Sequence, residues 1–87
     1  MRYTVVWQPA AEDRLAEIWA AAKERKAVAL AANAIDKALR FRPGTFGESR
    51  DALTRILVEE PLVIVYDVSE GDRRVRILDV RYVAPRQ

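Results

Sequence analysis

The spacing of apolar residues changes period along the chain, and each change marks a new element. Residues 2–7 alternate, with Tyr3, Val5 and Trp7 on one side and Arg2, Thr4 and Val6 on the other. That is the period-two signature of a strand rich in β-branched and aromatic residues. Gln8-Pro9 ends it, and Pro9 suits the first turn of a helix, where its missing N–H is not needed. From Pro9 to Lys23 the residues Ala11, Leu15, Ile18, Trp19 and Ala22 trace one stripe of a 3.6-residue period. Glu12 and Asp13 near its start suit the positive end of the helix dipole. Lys23-Glu24-Arg25-Lys26 reads as a corner. A second helix follows over Ala27–Phe41, with Val28, Ala31, Ile35, Ala38 and Leu39 as its stripe and Asp36–Arg40 as an i,i+4 pair in the favourable order. The three residues Trp7, Trp19 and Phe41 fall on these stripes and are expected to pack.

Arg42-Pro43-Gly44 stops the second helix, and a loop is expected from Arg42 through Glu48 and Ser49. Three strand patterns come next. Leu53–Val58 is the first. Leu62–Val68 is almost wholly apolar, so it is expected to be central and covered on at least one face. Arg74–Val83 is the third, reached through the polar loop Ser69-Glu70-Gly71-Asp72-Arg73, a hairpin signal. The tail from Ala84 is expected to fray. The resulting order is β-α-α-β-β-β. It predicts an α+β domain with an antiparallel sheet, in which the last three strands form a meander, the first strand docks beside one of them, and the helix hairpin covers one face. The other face is left at least partly open.

Composition narrows the chemistry. The chain has 87 residues, enough for one domain spanning 1–87 and too few for two cores. It contains no His and no Cys. Disulfides, thiolate zinc sites, Ser-His triads and imidazole metal clusters are therefore excluded. Any catalysis must run on Arg, Lys, Tyr, Ser, Asp or Glu. There is no Gly-rich phosphate loop, acid pair or metal-ligand spacing, so neither metal nor cofactor is expected. No segment reaches the roughly 18 apolar residues that span a bilayer, and the N-terminus lacks the apolar core of a signal peptide. A soluble, cytoplasmic protein is expected.

The net charge is only +2, yet 12 of the 15 basic residues are arginine. Arginine is the planar, bidentate phosphate fork, although a GC-rich coding bias yields the same excess. Residues 1–43 carry eight basic and five acidic side chains, and residues 44–87 carry seven and eight. Basic groups in the second half must act locally. Arg55 sits mid-strand, Arg74, Arg76, Leu78, Val80 and Tyr82 alternate along the last strand, and Arg73 and Arg81 are close by. If neighbouring strands bring these onto one open surface, they suit a phosphate chain with stackable bases. The competing reading has the strand arginines keep a sheet face soluble by pairing with Asp67 and Asp79.

The opening Tyr3-Thr4-Val5-Val6-Trp7-Gln8-Pro9-Ala10-Ala11-Glu12-Asp13-Arg14-Leu15 resembles the start of RelE/ParE-superfamily toxins. The stretches Thr54–Leu57, Leu62–Val68 and Val75–Tyr82 resemble that family's last three strands. The resemblance covers nearly the whole chain but is one of pattern, with no single diagnostic motif. It implies the toxin of a type II toxin–antitoxin module, a plasmid stabilisation system, that inhibits growth and is held by a cognate antitoxin. Antitoxin docking is expected at the Arg2–Trp7 strand or the helix hairpin. One branch of the family is a metal-independent, ribosome-dependent mRNA endoribonuclease (an mRNA interferase), and another inhibits DNA gyrase without nuclease chemistry. The nuclease reading assigns Arg55 and Arg81 to the phosphate and Tyr82 to acid/base or stacking work, with ribosome and mRNA as partners. The alternative is a non-nuclease binding module, a gyrase-type inhibitor or an inactive relic. Two departures favour it: Leu62-Val63-Ile64-Val65 lacks the arginine that many nuclease members carry before the tyrosine, and the histidine found near the C-terminus of some members is absent.

Overall fold

A computed structural model describes residues 2–41, 48–49 and 54–83. The expected loop Arg42–Gly47, the start of the strand at Leu53 and the tail from Ala84 lie outside the described residues. The elements are β1 (Thr4–Trp7), α1 (Pro9–Ala21), α2 (Arg25–Phe41), β2 (Glu48–Ser49), β3 (Thr54–Glu59), β4 (Leu62–Ser69) and β5 (Arg74–Tyr82). The order is the expected one with a single addition. Glu48 and Ser49, expected in a loop, form a short strand opposite Ile56 and Arg55 of β3.

The sheet runs β1-β5-β4-β3-β2. The β3-β4-β5 meander is antiparallel, as expected. The first strand docks beside the last and runs parallel to it, from Thr4 against Arg74 to Trp7 against Ile77, so the sheet is mixed rather than antiparallel throughout as expected. Parallel neighbours need a long crossover, and the two helices between β1 and the meander supply part of it. The ends of β1 are tied down by the Thr4 N–H to the Arg73 carbonyl at 2.8 Å and the Gln8 N–H to the Ile77 carbonyl at 2.9 Å.

Both helices lie on one sheet face. Ala11 of α1 and Val28, Ala31, Ile35 and Leu39 of α2 close over Leu62, Ile64 and Tyr66 of β4 and Val75, Ile77 and Val80 of β5. All eleven are buried. Leu15, Ile18 and Ala22 pack partly against this core, as do Tyr3, Val5 and Trp7. Two aromatic expectations fail. Trp19 and Phe41 are 46% and 47% exposed. Trp19 is one position beyond Ile18 on the helix wheel, so it points past the core and takes a cation instead. The Arg25 guanidinium sits 4.8 Å from its ring centre. Arg25 also donates to the Trp19 and Ala20 carbonyls at 3.2 and 3.0 Å. It thereby caps carbonyls that the end of α1 leaves without helical partners. The helix α1 ends at Ala21, before Lys23, where Ala22 turns extended, and α2 begins at Arg25 rather than Ala27. Phe41 is covered in the same way by Arg2, at 5.7 Å.

Candidate functional site

Directly paired residues in a sheet share a face, so the register assigns every strand side chain. On the helix-covered face, one row reads Trp7, Ile77, Tyr66 and Arg55 across β1, β5, β4 and β3. The next read Val80, Ile64 and Leu57, then Tyr82, Leu62 and Glu59. On the open face the rows read Thr4, Arg74 and Ser69; then Val6, Arg76, Asp67 and Thr54; then Asp79, Val65 and Ile56; then Arg81, Val63 and Val58.

The three residues that the nuclease reading names are therefore not assembled. Arg55 is half-buried on the helix side, beside Tyr66. Arg81 is exposed on the open side, beside Val63. Tyr82 follows Arg81 on a strand and so points back to the helix side. There, 41% exposed, it lines a cavity of about 480 Å³ with Arg14, Ile18 and Ala22 of the α1 end. The single surface expected for the arginine cluster is split by the thickness of the sheet.

A β-bulge is the physical cause of the split. The β4–β5 register shifts between Val65 and Tyr66, where Val65 faces Asp79 and Tyr66 faces Ile77, leaving Leu78 as an extra residue. One extra residue inverts the alternation beyond it. Arg74 and Arg76 precede the bulge and face out, while Val80 and Tyr82 follow it and face in. The expected series Arg74, Arg76, Leu78, Val80, Tyr82 thus divides between two faces. The bulge instead adds Asp79 and Arg81 to the open side.

On that side the pairing reading holds for two arginines. Arg76 forms a bidentate pair with Asp67, its Nε donating to Oδ1 at 3.0 Å and its Nη2 to Oδ2. The carboxylate holds the Arg76 guanidinium above its already high ordinary pKa. Arg81 meets Asp79 more loosely, at 3.4 Å. Arg74 makes no ion pair among the described residues. On the covered side, burial raises the Tyr66 hydroxyl above its ordinary pKa, with the Arg55 charge opposing the rise.

The pattern passed over one feature. Ile56, Val58, Val63 and Val65 form two cross-strand pairs side by side on the open face, Ile56 with Val65 and Val58 with Val63. No described element lies over them, and Val58 is 59% exposed. The signal was the unbroken apolar run of β4, which supplies side chains to both faces. On the outer side of the helix hairpin, a second apolar groove of about 300 Å³ runs between Leu15, Ala16 and Trp19 of α1 and Val28, Ala29 and Ala32 of α2. Among the described residues no group of His, Cys, Asp or Glu could hold a metal, and no helix is long and apolar enough to cross a membrane.

No sequence-family model matches the chain, and no curated protein matches it significantly. Solved structures do. The toxin–antitoxin complex RelBE2 from Mycobacterium tuberculosis contains a chain with TM-score 0.78 at 19% identity, covering 94% of this chain and 99% of that one. The chromosomal ParDE toxin–antitoxin system from P. aeruginosa gives 0.72 at 17% identity over 95% and 98%. The YoeB dimer from Staphylococcus aureus gives 0.61 at 19% identity over 97% and 100%. The resemblance to RelE/ParE toxins thus holds at the level of the fold over nearly the full length.

Proposed function

We propose that this chain is the toxin of a toxin–antitoxin pair and that it acts by binding a macromolecular target rather than by cutting RNA. The toxin role draws on the likeness of fold to chains solved as RelBE2 and ParDE toxin–antitoxin systems. The choice against cleavage rests on one observation: Arg55 and Arg81 lie on opposite faces of the sheet. Transition-state stabilisation needs donors about 3 Å from the developing charge, and two arginines separated by a sheet cannot meet one phosphate. The cognate antitoxin has two accessible elements: β1 at the sheet edge and the groove between α1 and α2. Both suit the recurring modes of strand addition and helix docking.

The test is inducible expression with and without the small gene adjacent to its own, combined with primer extension on cellular mRNA. Growth arrest, relief by the adjacent gene product and intact transcripts are expected. The Arg55→Ala/Arg81→Ala variant is expected to leave transcripts unchanged as well. Translation-dependent cleavage by the wild type, lost in that variant, would restore the endoribonuclease reading with ribosome and mRNA as partners. If transcripts stay intact, a supercoiling assay with purified DNA gyrase tests the gyrase-type alternative.

A further inference from the structure

We infer that the open face of the sheet is the surface that engages the toxin's target, and that the target is a protein presenting an apolar centre with carboxylates at its margin. This rests on the toxin reading above and adds where and by what chemistry the target is held. Two features of the face carry it. Ile56, Val58, Val63 and Val65 form a two-by-two aliphatic patch built from direct cross-strand pairs. A patch of this kind offers a phosphate chain neither donors nor stacking rings, whereas apolar groups of a partner protein gain by covering it. The second feature is charge. Arg81 adjoins Val63 directly, and Arg74 lies on the same face towards the other end of β5, without an ion pair among the described residues. With Arg76 already committed to Asp67, the positive ends left to a partner are Arg74 and the loosely held Arg81. Asp79 also adjoins the patch, beside Val65. This face thus carries Arg74, Arg76 and Arg81 against Asp67 and Asp79 among the described residues. An excess of cations around an aliphatic centre is complementary to an acidic, apolar protein surface.

The experiment uses the full chain under inducible expression. It compares wild type, Val63→Thr/Val65→Thr and Arg74→Glu/Arg81→Glu, with soluble yield and thermal melting recorded for each. Threonine keeps the β-branched shape that a strand favours and replaces one methyl by hydroxyl. Purified proteins are also titrated with the adjacent-gene antitoxin and with a single-stranded oligoribonucleotide. Both variants are expected to need at least about tenfold more toxin for the same arrest, the equivalent of one factor of ten in target affinity. Antitoxin affinity is expected to stay within about threefold, inside the range of near-neutral interface changes. Full arrest by both folded variants overturns the inference. Parallel loss of antitoxin binding also overturns it, because the face is then the antitoxin's. Oligoribonucleotide binding by the wild type, abolished in the arginine variant and kept in the threonine variant, assigns the face to nucleic acid instead. An inert wild type marks failure of the toxin reading itself, and no variant is needed to see it. If the double threonine variant does not fold, Val58→Thr at the most exposed corner of the patch takes its place.

Discussion

Ile64 and Val65 are neighbours in β4 and similar in chemistry, yet they live on different surfaces. Ile64 is fully buried beneath the helix pair, between Val80 and Leu57. Val65 is half-buried, between Asp79 and Ile56, with no described element above it. The difference shows that an apolar run in a central strand has two meanings at once. One set of side chains closes the core, and the other leaves an aliphatic surface available for another molecule. Truncation separates them most strongly. Ile64→Ala is expected to cost about 2–5 kcal/mol, through lost transfer energy and the cavity left behind. Val65→Ala is expected to cost under about 1 kcal/mol, as for surface changes away from special features. Urea unfolding of both variants measures this. Equal losses would mean that the open face is packed like the core, and the contrast between the faces would fail.

Much of the covered face was legible in the sequence, and little of the open one was. Of the α2 stripe, Val28, Ala31, Ile35 and Leu39 are buried as their 3.6-residue period implied, and Ala38 is half-buried. The meander followed from three strand patterns and the hairpin signal at Ser69–Arg73. Helical period alone could not tell Trp19 from Ile18, because adjacent positions near the edge of a stripe differ by about 100°. The Arg25 contact that settles its direction joins separate helices. The docking of β1 alongside β5 was equally out of reach, since no local residue encodes a parallel partner some 70 positions away. The candidate site suffered most from Leu78. Period two assumes an unbroken ladder, and one extra residue moved Tyr82 away from Arg74 and Arg76 and brought Arg81 to them. A hint was present: Val75 and Ile77 fall out of phase with Val80 and Tyr82, so a regular strand could not bury both pairs.

A second test sharpens the contrast through titration. Tyr66 is buried on the covered face, and burial raises its pKa above the unfolded value of 10.0 despite the opposing Arg55 charge. A group whose folded pKa is raised contributes stability that is fully present below the unfolded pKa and is lost as pH rises through the folded one. The protein should therefore lose stability above about pH 10, the ordinary tyrosine value. Tyr66→Phe is expected to change stability by no more than about 1.5 kcal/mol at pH 7 and to flatten the alkaline decline. Denaturant midpoints at pH 7, 10 and 11 measure both. An alkaline decline of unchanged steepness in Tyr66→Phe would mean that some other group drives it. Arg55→Met is expected to steepen the decline, since removing the opposing charge raises the Tyr66 pKa further.

The smallest expected effect belongs to the open face. Asp67 and Arg76 form a two-point pair there, and Arg76 stands half in solvent, with 51% of its side chain exposed. Asp67 is more enclosed, at 17%, but a pair open to solvent on one side gains only modestly from Coulomb attraction and is screened by salt. Asp67→Asn keeps the size of the side chain and removes its charge. It is expected to lower the thermal midpoint less than either change on the covered face, and the shift should shrink between 0.1 M and 1 M salt, as the screening length falls from about 10 Å to about 3 Å. A large loss that salt does not touch would show that Asp67 holds the sheet together, and the open face would then resemble the covered one in its energetics. The same variant bears on the target-binding surface in the opposite sense. With Asp67 neutral, Arg76 becomes an uncommitted cation one row from the aliphatic patch, with Arg74 beyond it on the same face. If the target is acidic as inferred, Asp67→Asn should arrest growth at equal or lower induction than the wild type while being slightly less stable. A single substitution would thereby move stability and toxicity in opposite directions, which a merely structural role for the pair cannot do.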